Sequence, residues 1–248
     1  MKYKVSKNTK ILPVVLARAD SSRLPGKVLS PILSGHSIID YINMQVIALT
    51  KDIDGMAKPV IATSTRPVDD VIEHYGEEKG ISVYRGALSP MQRMCEVANS
   101  NGDTWLWRLN ADSPLILFPL MKHVAARLSD IDKATLLITN LRKRTFPYGI
   151  SLEMYYAEWL RELFNNKHTK EEKEHITPIY KRLNSNNICN IEANDLSIQD
   201  FDSSVRLTID YEEDADFFGS LWKHRAFGNT QAGSLERINM AYKERIKI

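Results

Sequence analysis

The stretch ILPVVLARADSSRLPGKVL, residues 11–29, decides how the rest of the chain is read. Its first seven residues, ILPVVLA, form a short apolar run bounded by polar ones, the pattern of a buried strand. The run breaks into a loop with Arg18, Arg23 and Lys27, the serines Ser21 and Ser22, and a Pro25-Gly26 turn. Apolar residues then resume at Val28. Three long cations so close together make a place for an anion. Arginine forks onto phosphate oxygens, lysine supplies a movable point charge, and the glycine lets backbone approach closely. A solvated basic Pro-Gly turn has the same composition. The loop is neither of the common glycine-rich phosphate motifs. Val28 follows Lys27 where a Walker A needs Ser or Thr, and no G-x-G-x-x-G is present. Asp20 sits among these cations. A carboxylate about 4 Å from a phosphate charge costs about 1 kcal/mol in water and about 4 kcal/mol at an effective dielectric of about 20. Asp20 is therefore expected to close an Asx-turn on Ser22, to point away, or to pair with a local cation.

Outward from this stretch, strand and helix patterns alternate. SIIDYINMQVIALT (37–50) puts Ile38, Ile39, Ile42, Val46 and Leu49 at helical spacing, and PVIATS (59–64) reads as the next strand. RPVDDVIEHYGEEKG (66–80) opens on Pro67, carries acids in its first turn and stops at Gly80, the signals of a helix. ISVYRG (81–86) is a strand, SPMQRMCEVANS (89–100) a helix capped by Ser89, and TWLWRLN (104–110) a strand leading into ADSPLI. LFPLMKHVAARLS (117–129) is a helix and ATLLITN (134–140) a fifth strand. This alternation predicts parallel βαβ units, a twisted, mostly parallel sheet with helices on both faces, and functional loops at the carboxyl ends of the strands. The pattern then changes. RKRTFPYGISLEMY (142–155) reads as loop then strand, 156–166 and 170–185 as helices, the second interrupted near Pro178, and NICNIEA (187–193) as a short strand. VRLTID (205–210) reads as a return to a core strand, and 212–226 and 234–246 as closing helices. The whole chain, 1–248, is expected to form one domain with an embedded subregion at about 141–200.

Composition narrows the partners. With 33 basic and 31 acidic residues the formal net charge is +2, which is no nucleic-acid footprint, so anion binding must be local. Two distant cysteines, Cys95 and Cys189, are expected to be free thiols in a reducing cytoplasm. No apolar run approaches the length of a membrane span or a signal h-region. Asp112 in NADSP and Asp210 in TIDYEED each follow a predicted strand. Two such carboxylates suit magnesium, which fills its octahedron with phosphate oxygens and water. An Asx-turn before Pro114 and an N-cap for the helix starting at Glu212 are the structural alternatives.

The motif ARADSSRLPGKVL resembles the N-terminal signature of the cytidylyltransferases that activate acidic sugars, the CMP-sialic-acid, CMP-pseudaminic-acid and CMP-KDO synthetases and the spore-coat-polysaccharide type. IATS (61–64), DD (69–70), GISVYRGA (80–87), LNADSPLI (109–116), FPYGISLEMY (146–155), EHIT (174–177) and RLTIDYEEDADFF (206–218) follow in the family's order, so the resemblance covers almost the whole chain. It implies a Rossmann-like nucleotide-diphospho-sugar transferase (GT-A-like) fold. It also implies CMP transfer from CTP to a sugar hydroxyl or sugar phosphate, a magnesium cofactor, and a homodimer formed through the 141–200 subregion. By the same resemblance Arg18, Arg23 and Lys27 hold the triphosphate, and Ala17, Ser22, Thr63, Ser64, Arg93 and Asn110 complete the nucleotide site. Asp112 and Asp210 are the implied metal ligands; Arg18, Lys27, Asp112 and Asp210 are the implied catalytic set. Tyr148, Glu153, His175 and Thr177 match the acceptor side, where Phe146, Tyr155 and Tyr156 are candidate interface residues. The triplet Arg142, Lys143 and Arg144 reads as a solvated basic face. The sequence departs from the family at Asp20 and Ala111, where glycine is usual, and at Leu117, where close relatives carry an acid. Ala111 is mild if its φ is negative and costly if positive. A metal-dependent glycosyltransferase of related fold and a non-catalytic nucleotide-binding relative are the rival readings. No D-x-D follows a mid-chain strand, which counts against the first.

Overall fold

A computed structural model describes residues 10–101, 104–223 and 231–247. The opening apolar run is β1 (Lys10–Leu16), and its residues from Ile11 to Val15 are buried. Then come α1 (Ile38–Thr50), β2 (Val60–Ser64), α2 (Asp70–Lys79), β3 (Ser82–Gly86), α3 (Pro90–Asn99), β4 (Thr104–Asn110) and α4 (Phe118–Arg127). The boundary signals act as chemistry predicts. Ser37 caps α1 in a capping box with Asp40, the Ser89 side chain accepts from Gln92 N–H with Pro90 behind it, and Gly80 ends α2 at φ 63°.

The second half contributes β5 (Leu137–Thr139), β6 (Glu153–Tyr156), α5 (Ala157–Phe164), α6 (Lys170–Glu174), β7 (Ile188–Asn190), α7 (Glu212–Lys223) and α8 (Gln231–Arg245). One seven-stranded sheet results, ordered β3-β2-β1-β4-β6-β5-β7. β1 to β4 pair in parallel, β6 runs antiparallel to both β4 and β5, and β7 is parallel to β5. The chain builds outward from β1 to β3, then crosses back to lay β4 on the other side of β1. Right-handed crossovers then put α1 and α2 on one face and α3 on the other. The reversal point lies between β1 and β4, and a crevice opens at their carboxyl ends. The 17–27 loop and the 111–117 segment leave from those two ends.

Three expectations need correction. Residues 205–210 are not a strand of the sheet. Tyr148 N–H donates to Val205 O (2.9 Å), Leu207 N–H to Tyr148 O (2.7 Å) and Ile209 N–H to Asp112 O (2.8 Å), so their partners are loops. The close approach needs glycine at 149 (φ 103°), where a Cβ would stand 2.6 Å from Leu207 O. Residues 170–185 form one short helix, then a 3-10 turn over Thr177–Arg182, because Pro178 withholds an N–H. Phe146, Tyr155 and Tyr156 are fully buried inside the chain and offer no surface to a partner. The end of the predicted helix at 212–226 lies outside the described residues. Cys95 is buried, Cys189 partly so, and both are free thiols.

Candidate active site

The 17–27 loop turns back on itself at Gly26 (φ 70°), whose N–H donates to Ala19 O (3.0 Å). This places its cations at the carboxyl end of β1. Arg18 and Ser22 are exposed. Arg23 is also exposed; it donates to Asp210 (3.0 Å) and lies over the Tyr211 ring. Its pKa is raised, first by the Tyr211 hydroxyl and then by Asp210 and Asp112. Lys27 is buried, contrary to a solvated turn. Its Nζ donates to Ile209 O (2.5 Å) and Asp210 (3.2 Å). The Asp210 carboxylate also accepts from the Thr208 hydroxyl (2.9 Å), so it faces the loop rather than capping α7. Its position is set by Asp214, fully buried, which accepts from the backbone N–H of Asp210 (2.9 Å) and Tyr211 (3.0 Å) while Arg206 and Arg245 hold its oxygens.

Asp112 does not form the Asx-turn. It accepts from the Ser113 hydroxyl (2.8 Å), and Ser113 N–H goes to Asn110 O. The Ile209–Asp112 backbone bond brings the two aspartate segments side by side. Among the described residues no cluster of three or more His, Cys, Asp or Glu offers a complete metal cage. Two carboxylates beside a triphosphate loop nevertheless fit magnesium, which takes one or two carboxylates and draws the rest of its shell from phosphate and water. Ala111 is absent from the positive-φ residues, so it replaces glycine without strain. Leu117, where an acid is usual, is core.

The remaining nucleotide-side positions line the same strand ends. Ala17, Thr63 and Ser64 are buried, and the Thr63 hydroxyl has no hydrogen-bond partner. Asn110 ends β4 beside Leu16. Arg93 is 2% exposed. It donates to Ala62 O (3.2 Å) and Ala17 O (3.4 Å), so it ties together the ends of β1 and β2. Burial lowers its pKa to about 10.

Asp20 does not close on Ser22. It accepts from Arg66 (2.5 Å), with Arg18 Nε 3.8 Å away, and Arg66 holds its carboxyl below the usual range. Asp69, fully buried, accepts from Ala19 N–H (2.7 Å), from the Ser64 hydroxyl and from Arg66 (3.3 Å). Sequence reasoning singled out neither Arg66 nor the clamping role of Asp69. Their signal was the turn STRPVDD directly behind β2.

On the acceptor side the structure joins Glu153 and Thr177 through Arg108, which the sequence reading passed over inside TWLWRLN. One step beyond the Trp107–Met154 register, Arg108 pairs across strands with Glu153 and donates to Thr177 Oγ1 (3.2 Å). Tyr155 donates to the other Glu153 oxygen (2.6 Å). Burial disfavours charge on Arg108, but Glu153 and Tyr155 outweigh it and its pKa rises. Tyr148 is half-exposed and carries the Arg144 guanidinium 5.2 Å above its ring. Arg144 is not part of a solvated face. Burial lowers its pKa, and its buried Nη1 has no hydrogen-bond partner. Arg142 and Lys143 remain exposed. His175 is exposed at the end of α6 and is not drawn into this cluster.

Comparisons agree with this arrangement. A cytidylyltransferase from Leptospira borgpetersenii serovar Hardjo-bovis (strain JB197) superposes with a TM-score of 0.80 at 24% identity, over 95% of each chain. CMP:2-keto-3-deoxy-manno-octonic acid synthetase complexed with CTP superposes at 0.60 with 18% identity, over 87% of this chain and 99% of that one. The fold is thus the Rossmann-like nucleotide-diphospho-sugar transferase fold. The spore coat polysaccharide biosynthesis protein SpsF of Bacillus subtilis (strain 168) is 28% identical over 217 residues, 86% of each chain. The profile of one family, the cytidylyltransferases, runs from residue 12 to residue 237 and so spans both aspartates and the whole loop. With that match over most of its length, the chain belongs to the cytidylyltransferase family and is a CTP-dependent nucleotidyltransferase.

Proposed function

We propose that the enzyme transfers CMP from CTP to an anionic sugar, an acidic sugar hydroxyl or a sugar phosphate, for polysaccharide biosynthesis. One observation carries the acceptor's charge: Arg144 keeps a buried guanidinium nitrogen without a partner beside Glu153, whose two oxygens are already taken by Arg108 and Tyr155. A buried cation with an unused donor is costly alone and is satisfied by an incoming carboxylate or phosphate. The polysaccharide role of the Bacillus relative supports the pathway class.

The acceptor oxygen attacks the α-phosphorus of CTP, the bond from that phosphorus to the α–β bridging oxygen breaks, and pyrophosphate leaves. A hydroxyl acceptor gives its proton to solvent. Arg18, Arg23 and Lys27 at the strand end bind and orient the phosphates, and such preorganised cations act most where charge builds on the leaving group. Asp112 and Asp210 would hold magnesium, which supplies charge neutralisation and polarisation of phosphate oxygens. Asp214 keeps the Asp210 backbone in place. Tyr148 and Thr177 flank the acceptor pocket, and His175 is near enough in sequence to reach it only from outside. We assign the enzyme to the cytoplasm, where CTP is available, as a homodimer, which light scattering tests. No helix among the described residues is long and apolar enough to cross a membrane.

The test is pyrophosphate release with magnesium, each nucleoside triphosphate, and a panel of acidic sugars, sugar phosphates and neutral sugars. Release with CTP and an anionic acceptor, lost in Asp112→Ala, is expected. Turnover with neutral sugars alone overturns the acceptor assignment. Sugar transfer from a supplied nucleotide sugar without pyrophosphate indicates a glycosyltransferase, and CTP binding without release indicates a non-catalytic relative.

A further inference from the structure

An acid inside a triphosphate loop should repel the ligand, and Asp20 is such an acid. Its surroundings point the other way. The loop is tied to the corner after β2 at two consecutive residues. Ala19 N–H donates to Asp69 (2.7 Å), and Asp20 accepts from Arg66 Nη1 (2.5 Å). Arg66 spends its guanidinium within this corner, with Nε on the Ser64 hydroxyl (3.2 Å) and Nη2 on Asp69 (3.3 Å). Its carbonyl accepts from Arg85 Nη2 (3.0 Å), and Arg85 Nε donates to Ser64 O (3.1 Å), so the corner is itself braced from β3. Arg18, the first loop cation, lies 3.8 Å from the other Asp20 oxygen. Asp20 therefore has a cation on each oxygen, one from the scaffold and one from the loop.

We propose that Asp20 and Arg66 form a latch that holds the 17–27 loop, and with it Arg18, against the end of β2, so that Asp20 aids nucleotide binding instead of opposing it. Both are positioning residues: they act on the phosphates through the loop's shape. The inference rests on the nucleotide site proposed above, and its test separates the two.

The intact protein is compared with Asp20→Asn, Arg66→Gln and the double variant, each checked by thermal melting. Two readouts are taken. The first is limited trypsin digestion, followed by mass spectrometry at the bonds after Arg18 and Arg23, which are exposed. The second is KM and kcat for CTP. The latch predicts loop cleavage several-fold faster in each single variant and no faster again in the double, because coupled partners are not additive. It predicts KM for CTP raised about three- to tenfold, the scale of a partly exposed charged pair, with kcat changed less. Unchanged cleavage in both single variants, or a KM that falls on removing Asp20, overturns it; the second result would mean that the acid simply repels phosphate. If the unaltered protein neither binds CTP nor releases pyrophosphate, the nucleotide reading fails, and the cleavage pattern alone decides the latch.

Discussion

The 17–27 loop and the Arg108–Glu153 cluster both present cations near the carboxyl end of β4, but they hold them in opposite ways. In the loop, each cation rests on one of the chain's own carboxylates: Arg18 on Asp20, and Arg23 and Lys27 on Asp210. In the cluster, Arg108 and Glu153 satisfy one another, while Arg144 keeps an unpartnered buried nitrogen. The loop can fold without ligand because its own acids stand where phosphates would bind. The acceptor side folds with an unmet demand. Ligand binding in the first is an exchange of partners, and in the second it is the completion of a site.

The largest effect should come from breaking the exchange. Lys27→Ala removes the one buried cation of the loop and frees Asp210 from its partner. Loss of a preorganised donor at a developing charge costs about 100- to 1,000-fold in kcat. Steady-state pyrophosphate release reads this out. A change in KM for CTP with kcat intact would show that Lys27 only ties the loop to Ile209 and takes no part in the transition state.

Arg144→Met sharpens the other half of the comparison. The acceptor KM should rise by about 10- to 50-fold, the range of a charge-assisted hydrogen bond, with KM for CTP unchanged. Melting temperature should hold or rise, because an uncompensated buried charge has been replaced by an apolar side chain of similar length. A fall in stability with unaltered acceptor KM would make Arg144 a structural stacking partner of Tyr148.

The same contrast explains what was legible in the sequence. The loop was readable because its cations are consecutive in the chain and follow a strand with clear boundaries. The strand order, the helix caps and the free thiols came from the same local chemistry. Arg144 was misread because its neighbours Arg142 and Lys143 are solvated, and its burial depends on the chain folding Tyr148 beneath it. Arg108 was invisible because one charge in an apolar strand says nothing of the Glu153 opposite. Residues 205–210 have the alternation of a strand because Leu207 and Ile209 are buried. Alternation reports burial, however, and here the hydrogen bonds go to Tyr148 and Asp112. Asp20 was weighed against a ligand and an Asx-turn, whereas its actual partner, Arg66, arrives from a different strand end.

The smallest expected effect concerns how the acceptor side is carried. Thr177, which touches Arg108, lies between Glu172 and Arg182, and these two bracket the segment. Arg182 donates to both Glu172 oxygens at 2.6 Å, the Thr169 N–H donates to the same carboxylate at 2.8 Å, and His168 Nδ1 lies 3.8 Å away. Arg182 in the first place holds the Glu172 pKa down to about 2, from an ordinary 4.5. A carboxylate depressed on folding adds stability above its unfolded pKa and loses it as pH falls toward the folded one. Glu172→Gln can keep the capping bond but not the ion pair. At neutral pH it should melt about 2–4 °C lower, the shift of about 1 kcal/mol in a protein of this size. That difference should shrink as pH falls from about 4.5 toward about 2, where the native carboxylate is itself protonated. If the difference between the two proteins is independent of pH across that range, the pair is not what steadies the segment. The presentation of Thr177 to Arg108 must then rest on the apolar contacts of Ile176 and Ile179, both fully buried on either side of it.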